Sequence, residues 1–370
     1  MIVFLFWTLN SLALAWGPEG HAVIAEIAQG HLKPEILLKI DSIRHAKFDL
    51  KLIHPDQRDF GYKTDEGLDR FVSDQNLDLA DIASWADGIR HRQGYEKTAS
   101  WHFVNVPAQG EFTHADIPAF CPEGNCVAVQ LEKQFMVLSD GSAGAMERFE
   151  ALCYLVHFTG DIHQPLHCAD NGDEGGNQSP ILFFGKSGKQ IHLHSLWDDL
   201  IIAKYMDEKK LKSSMDLKDD VLSHAFPADL MPPQGLDYAS WAFESYQIAR
   251  TRIYPAYQGP STEYGQPYVE EMMPLIEGQL AKAGLRLAYV LEQALKGSVT
   301  AQAQAAASAG KEVGAEQSRT SIHKRLEDGS EISKFFHARD KKSAGKKHKA
   351  SKKSGHQSHS SPKDSLKGND

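Results

Sequence analysis

Cysteine pairs of the C-x2-C kind are missing from this chain. Four cysteines occur among 370 residues and none belongs to a C-x2-C pair, which excludes the thiolate-rich zinc staples of fingers and ribbons. Long apolar runs are scarce as well. The uncharged stretch 1–15 (MIVFLFWTLNSLALA) is too short to span a bilayer comfortably and has no basic residues ahead of it. It closes on Ala13-Leu14-Ala15, the A-x-A pattern of a cleavage site. We therefore expect a signal peptide over 1–15, a mature chain that starts at Trp16 with no transmembrane segment, and a secreted or periplasmic protein.

Residues 297–370 lack large apolar side chains almost entirely and are rich in Ala, Ser, Gly and Lys. Such a composition cannot bury enough surface to offset chain entropy, so a basic, low-complexity, disordered tail is expected there. The tail holds 15 Lys/Arg against 8 Asp/Glu, a net of +7; removing it from the whole-chain charge of −9 leaves about −16 on residues 16–296. An acidic body argues against tight, salt-driven binding of duplex DNA through a broad basic face. No internal repeat of solenoid period is present. About 280 residues remain for one well-buried domain, 16–296.

What is present in that domain reads as helix. Periodic apolar spacing predicts helices over 21–32, 34–44, 76–89, 127–140, 143–163, 194–213, 217–226, 236–255 and 266–296. One β-hairpin is expected, Ile181–Phe184 turning at Gly185–Gly188 and returning through Lys189–Leu193. Cys121-Pro-Glu-Gly-Asn-Cys126 forms a short turn-containing loop that suits a local disulfide. Cys153 and Cys168 leave two readings open: a second bridge, or two small buried apolar side chains.

Thirteen of the eighteen histidines lie in the body, and spacing sorts them. In His157-Phe-Thr-Gly-Asp161-Ile-His-Gln-Pro-Leu-His167, the first His and Asp are four apart and share a helix face. Pro165 ends that helix, placing His167 beyond the break. His194-Ser-Leu-Trp-Asp198 repeats the His-x3-Asp spacing. Imidazoles with carboxylates and no paired thiolates suit a zinc site that does chemistry.

Five segments in order resemble the S1/P1 nuclease family: WGPEGH at 16–21, ASWAD at 83–87, WHF at 101–103, HFTGDIHQPLH at 157–167 and HSLWD at 194–198. The resemblance covers nearly all of residues 16–296. It implies a mainly α fold, a single-domain helical bundle of the S1/P1 nuclease and zinc phospholipase C type. It also implies three Zn2+ ions. Asp87, His102, His157 and Asp161 would hold the first, with Asp161 bridging to a second that His21 and the free amine and carbonyl of Trp16 complete. His167, His194 and Asp198 would hold the third. Asp87, Arg90 and Asp161 take the catalytic roles, Arg90 as the phosphate-contacting guanidinium. Phe103 is the stacking candidate, Asn105 stands where fungal members carry an aspartate in the base pocket, and Asn177 is a further substrate contact. His163 and His192 neighbour the ligands without being required by the pattern, and are read as supporting or surface residues.

The activity implied is hydrolysis of single-stranded DNA and RNA, with 3′-nucleotides as further substrates, to 5′-phosphate products by a monomeric secreted enzyme. Two alternatives compete. A zinc phospholipase C shares the three-zinc architecture and an N-terminal Trp, but carries glutamate where Asp198 stands. A non-catalytic zinc-binding or adhesion module draws on the basic tail, which could contact polyanions.

Overall fold

Proline opens the first two helices. In this computed structural model, Pro18 and Pro34 occupy the first turn of α1 (Pro18–His31) and α2 (Pro34–Arg44), where a missing N–H costs no helical bond. The structure describes residues 16–49, 51, 64–225, 229–231, 233 and 235–297. The expected signal peptide and the tail beyond residue 297 lie outside the described residues.

A third helix, α3 (Thr64–Ser73), is one that periodicity did not single out. The helix expected over 76–89 is broken instead into a 3-10 turn, Leu79–Ile82, and a short α4 (Trp85–Ile89). Asp78 caps the 3-10 turn by accepting from Ala80 N. The break leaves Ala83 O outside any helical ladder, free to take a side-chain donor.

The centre of the fold is α6 (Ala145–Asp161), which packs beside α5 (Val127–Ser139). Every residue of α6 from Ala151 to Asp161 is buried, the mark of a helix enclosed on all sides. Next comes a run that starts as α7 (Leu193–Ser195), widens into a π-helical turn at Leu196–Leu200 and continues as α8 (Ile201–Lys209). α9 (Ser214–His224) and α10 (Tyr238–Ile248) follow, each capped by a side chain, Ser213 and Asp237. The last element, α11 (Gln266–Leu295), has 30 residues and so runs about 45 Å. It packs on α1, α6, α5, α8 and α9 and closes the bundle.

The mainly helical class expected from the sequence is what is observed, but the hairpin is corrected. β1 (Leu182–Phe183) pairs in parallel with β2 (Glu263–Tyr264), some 80 residues on. The antiparallel return is reduced to isolated bridges, Phe183 with Lys186 and Pro180 with His192. The chain reverses earlier than expected because Phe184 (φ 49°) and Gly185 (φ 71°) both take the left-handed conformation of a two-residue turn. Ladder bonds then go to β2, through Leu182 N to Thr262 O (2.9 Å) and Phe184 N to Tyr264 O (3.0 Å).

Cys121 and Cys126 form a disulfide, as their loop suggested. Cys153 and Cys168 are unbridged and buried, so of their two readings the small apolar one holds. Among the described residues no helix is long and apolar enough to cross a membrane.

Candidate metal centre

The end of α6 brings the first group together. His157 Nδ1 donates to Ala83 O at 2.7 Å, which fixes the ring and leaves Nε2 pointing inward. There it lies 3.2 Å from His102 Nδ1, 3.3 Å from Asp161 Oδ1 and 3.7 Å from Asp87 Oδ1. His102 Nδ1 is 2.9 Å from Asp161 Oδ2. Asp87 comes from α4 and His102 from the end of a 3-10 segment, Glu96–His102. Four side chains from three separate segments thus face one point.

His21, on the first turn and a half of α1, stacks on His157 with ring centroids 4.0 Å apart and a 15° angle. Its Nε2 reaches Asp161 Oδ1 at 3.3 Å. The two oxygens of Asp161 therefore face different imidazoles. Trp16 is wholly buried, and Gly17 N donates to Asp198 O at 2.9 Å, which ties the start of the fold to the π-helical turn. His21, Asp87 and His157 form one set of convergent ligand atoms, and His102, His157 and Asp161 an overlapping one.

A second cluster lies beyond the break at Pro165. His167 Nε2, His194 Nε2 and Asp198 Oδ2 are separated by 3.2 Å along each of two edges. Backbone carbonyls set both rings: His167 Nδ1 donates to His102 O (2.8 Å) and His194 Nδ1 to Gly175 O (2.6 Å). Gly175 needs its φ of +63°, and a Cβ there would meet Leu166 O at 2.7 Å. Asp198 sits in the π-helical turn, a distortion common where a side chain must be re-aimed. Its other oxygen, Oδ1, accepts from Gln164 Nε2, while Gln164 Oε1 accepts from Leu166 N.

These groups fit cations better than they fit each other. Burial depresses the His21 and His102 rings well below the usual imidazole range and lowers His157, so these imidazoles are neutral donors. Burial pushes the Asp161 and Asp198 carboxyls well above theirs. Asp87 Oδ1, Asp161 Oδ1, His102 Nε2 and both nitrogens of His21 are buried without a hydrogen-bond partner. Neutral imidazoles around carboxylates that water cannot reach form a set that a divalent ion would satisfy.

The substrate-side residues divide. Arg90 is buried, with Nη2 3.3 Å from Asp87 Oδ1. Phe103 is half-buried and Asn105 exposed. Asn177 is buried; its Nδ2 donates to Glu174 O at 2.8 Å and its Oδ1 has no partner. His163 is not a surface residue: it is fully buried and accepts from Arg286 Nη1 at 2.8 Å. His192 caps α7 by accepting from Ser195 N. Spacing alone did not single out Gln164, although its place between Asp161 and His167 is a signal that it shares their surroundings.

The S1/P1 Nuclease family model matches residues 16–296. The chain belongs to the S1/P1 nuclease family. It is 28% identical to Endonuclease 4 of Arabidopsis thaliana over 304 residues, covering 76% of this chain and 89% of that protein. It is 27% identical to Nuclease P1 of Penicillium citrinum over 293 residues (74% and 95%) and 25% identical to Nuclease S1 of Aspergillus oryzae over 306 residues (77% and 93%). Membership makes the chain a hydrolytic nuclease acting on nucleic acid, and its His/Asp clusters are groups that could hold metal.

One glycine limits how this nuclease site can vary. A Cβ on Gly160 would stand 2.6 Å from His21 Nδ1 and 2.7 Å from its Cε1, closer than such atoms come. Gly160→Ala should therefore displace the His21 ring and cost about 1–3 kcal/mol of stability by overpacking. Denaturant midpoints and metal content, measured together, check this; an unchanged pair would show that the α1–α6 contact is more accommodating than it looks.

Proposed function

We propose that the chain is a secreted, monomeric zinc-dependent endonuclease. Its substrates are single-stranded DNA and RNA, with 3′-nucleotides also accepted, and its products carry 5′-phosphates. The observation that carries the reading is the position of Asp161, fully buried with its two oxygens shared between the His21 side and the His102 side of the site. A carboxylate so placed suits two cations a few ångströms apart, and such pairs serve phosphoryl transfer.

Asp87, His102, His157 and Asp161 would hold one zinc; Asp161, His21 and the amine and carbonyl of Trp16 a second; His167, His194 and Asp198 a third. When bound, zinc supplies Lewis acidity towards the phosphate oxygens and an acidified water near neutral pH. This chain's own residues do the rest. Arg90, steadied by Asp87, can offer N–H groups to a phosphate. Phe103 is accessible enough for a base to stack on it, and Asn105 and Asn177 offer amide groups to base or sugar. Gln164 holds Oδ1 of Asp198 so that Oδ2 faces the two imidazoles.

Residues 1–15 would be removed on export, residues 16–296 would form the catalytic domain, and the basic tail would add weak contacts to polyanions. Support for this division is the span of the family match and the composition of the flanks.

The decisive experiment combines N-terminal sequencing, metal analysis and substrate choice on the mature protein. We expect Trp16 first, three zinc ions in the catalytic cluster, and cleavage of single-stranded DNA or RNA that chelation abolishes and zinc restores. Turnover of a phosphatidylcholine analogue with nucleic acid left intact would transfer the site to the phospholipase reading. Full activity in a metal-free protein would end the zinc scheme.

A further inference from the structure

The catalytic groups are not the only His/carboxylate cluster in the fold. Asp220 and His224 lie one turn apart on α9, and Glu277 faces them from α11. His224 Nδ1 is 3.3 Å from Asp220 Oδ2 and 3.7 Å from Glu277 Oε1. A tetrahedral zinc with bonds near 2.0–2.1 Å has ligand–ligand edges of about 3.3 Å, so the spacing needs little adjustment to close around an ion.

Three further features favour a cation here. Glu277 is 4% exposed, and burial holds its carboxyl above the ordinary range, a penalty that an adjacent positive charge removes. The hydroxyl of Tyr205 lies 2.5 Å from Asp220 Oδ2 and 3.0 Å from Glu277 Oε1. It carries one proton and can donate to only one of the two oxygens, so the other must share His224 or take an ion. Finally, His224 is the last residue of α9, where the helix dipole is negative.

The geometry points to an accessory divalent-metal site, distinct from the nuclease centre, in which Asp220, His224 and Glu277 hold one zinc with a coordination position left for water. One imidazole with two carboxylates favours zinc over calcium or magnesium. Tyr205 keeps one role in the filled site, donating to Asp220 and fixing which lone pair faces the ion. The ion would clamp α9 to α11, the helix that also packs on α1 and α6. Its role is therefore bracing, not catalysis, and it does not depend on the three-zinc reading.

The test is metal stoichiometry by plasma mass spectrometry on the full mature protein, saturated with zinc and desalted. The variants are His224→Ala, Glu277→Gln and, separately, Asp161→Asn. The expected result is one zinc equivalent fewer than wild type in each of the first two, with nuclease activity retained. Asp161→Asn should keep the ion that His224→Ala loses. Cobalt substitution supplies a second readout: a d–d absorption contribution present in Asp161→Asn and absent when His224→Ala is added. Equal ion counts in wild type, His224→Ala and Glu277→Gln would overturn the proposal and leave a hydrogen-bonded cluster around Tyr205. A change confined to Asp161→Asn would count against the accessory site while leaving the catalytic scheme intact.

Discussion

Asp161→Asn is expected to lower kcat on single-stranded DNA by about 10^3-fold or more and to remove at least one zinc from the catalytic cluster. The change is nearly isosteric, so shape is not what is lost. The carboxylate stands 2.9 Å from His102 Nδ1 on one side and 3.3 Å from His21 Nε2 on the other. An amide can offer one oxygen to one ion but brings no charge to hold two together. A stability measurement separates this from ordinary damage. Burial opposes the charged form of Asp161, so in chelator the Asn protein should be at least as stable as wild type. In zinc the order should reverse, because only the carboxylate gains from the ions. A variant less stable than wild type under both conditions, with full zinc, would remove Asp161 as the bridge.

The second large effect requires no side-chain change. A two-residue Gly-Ser extension before Trp16 should reduce activity about 100-fold or more, the scale of disturbing a metal's immediate surroundings. The extension converts a free amine into an amide nitrogen, which is a poor zinc donor. Zinc counts and kcat, compared between a correctly cleaved and an extended protein, make the test. Equal values would show that the amine is not a ligand and that Trp16 serves only as packing.

His157 and Asp161 show what the sequence made legible. They share a face by helical arithmetic, and the Pro165 break separates His167 from them. Both follow from spacing alone. Nothing local could show that Ala83, 74 residues away, would turn its carbonyl to His157. That contact requires the break at Ala83–Ser84, which periodicity read as continuous helix. The orienting of Asp198 by Gln164 and the burial of His163 against Arg286 were hidden for the same reason. Each is a bond between segments far apart in the chain, the end of α6 meeting the turn before α4, the π-helical turn or α11. The hairpin failed differently: a phenylalanine in a left-handed conformation moved the reversal, and a partner strand some 80 residues later took the ladder. The fold class was readable, and so was the set of imidazoles and carboxylates that converge at the end of α6 and beyond Pro165; which residues hold them in place was not.

The stacked pair His21 and His157, both fully buried, has a consequence for metal loading. With the two ring centroids 4.0 Å apart, neither imidazole can turn without displacing the other. Together with the Ala83 carbonyl that fixes His157, the stack presets both rings before any ion arrives. Metal should then enter a site that is already built, and its removal should leave the α1–α6 contact in place.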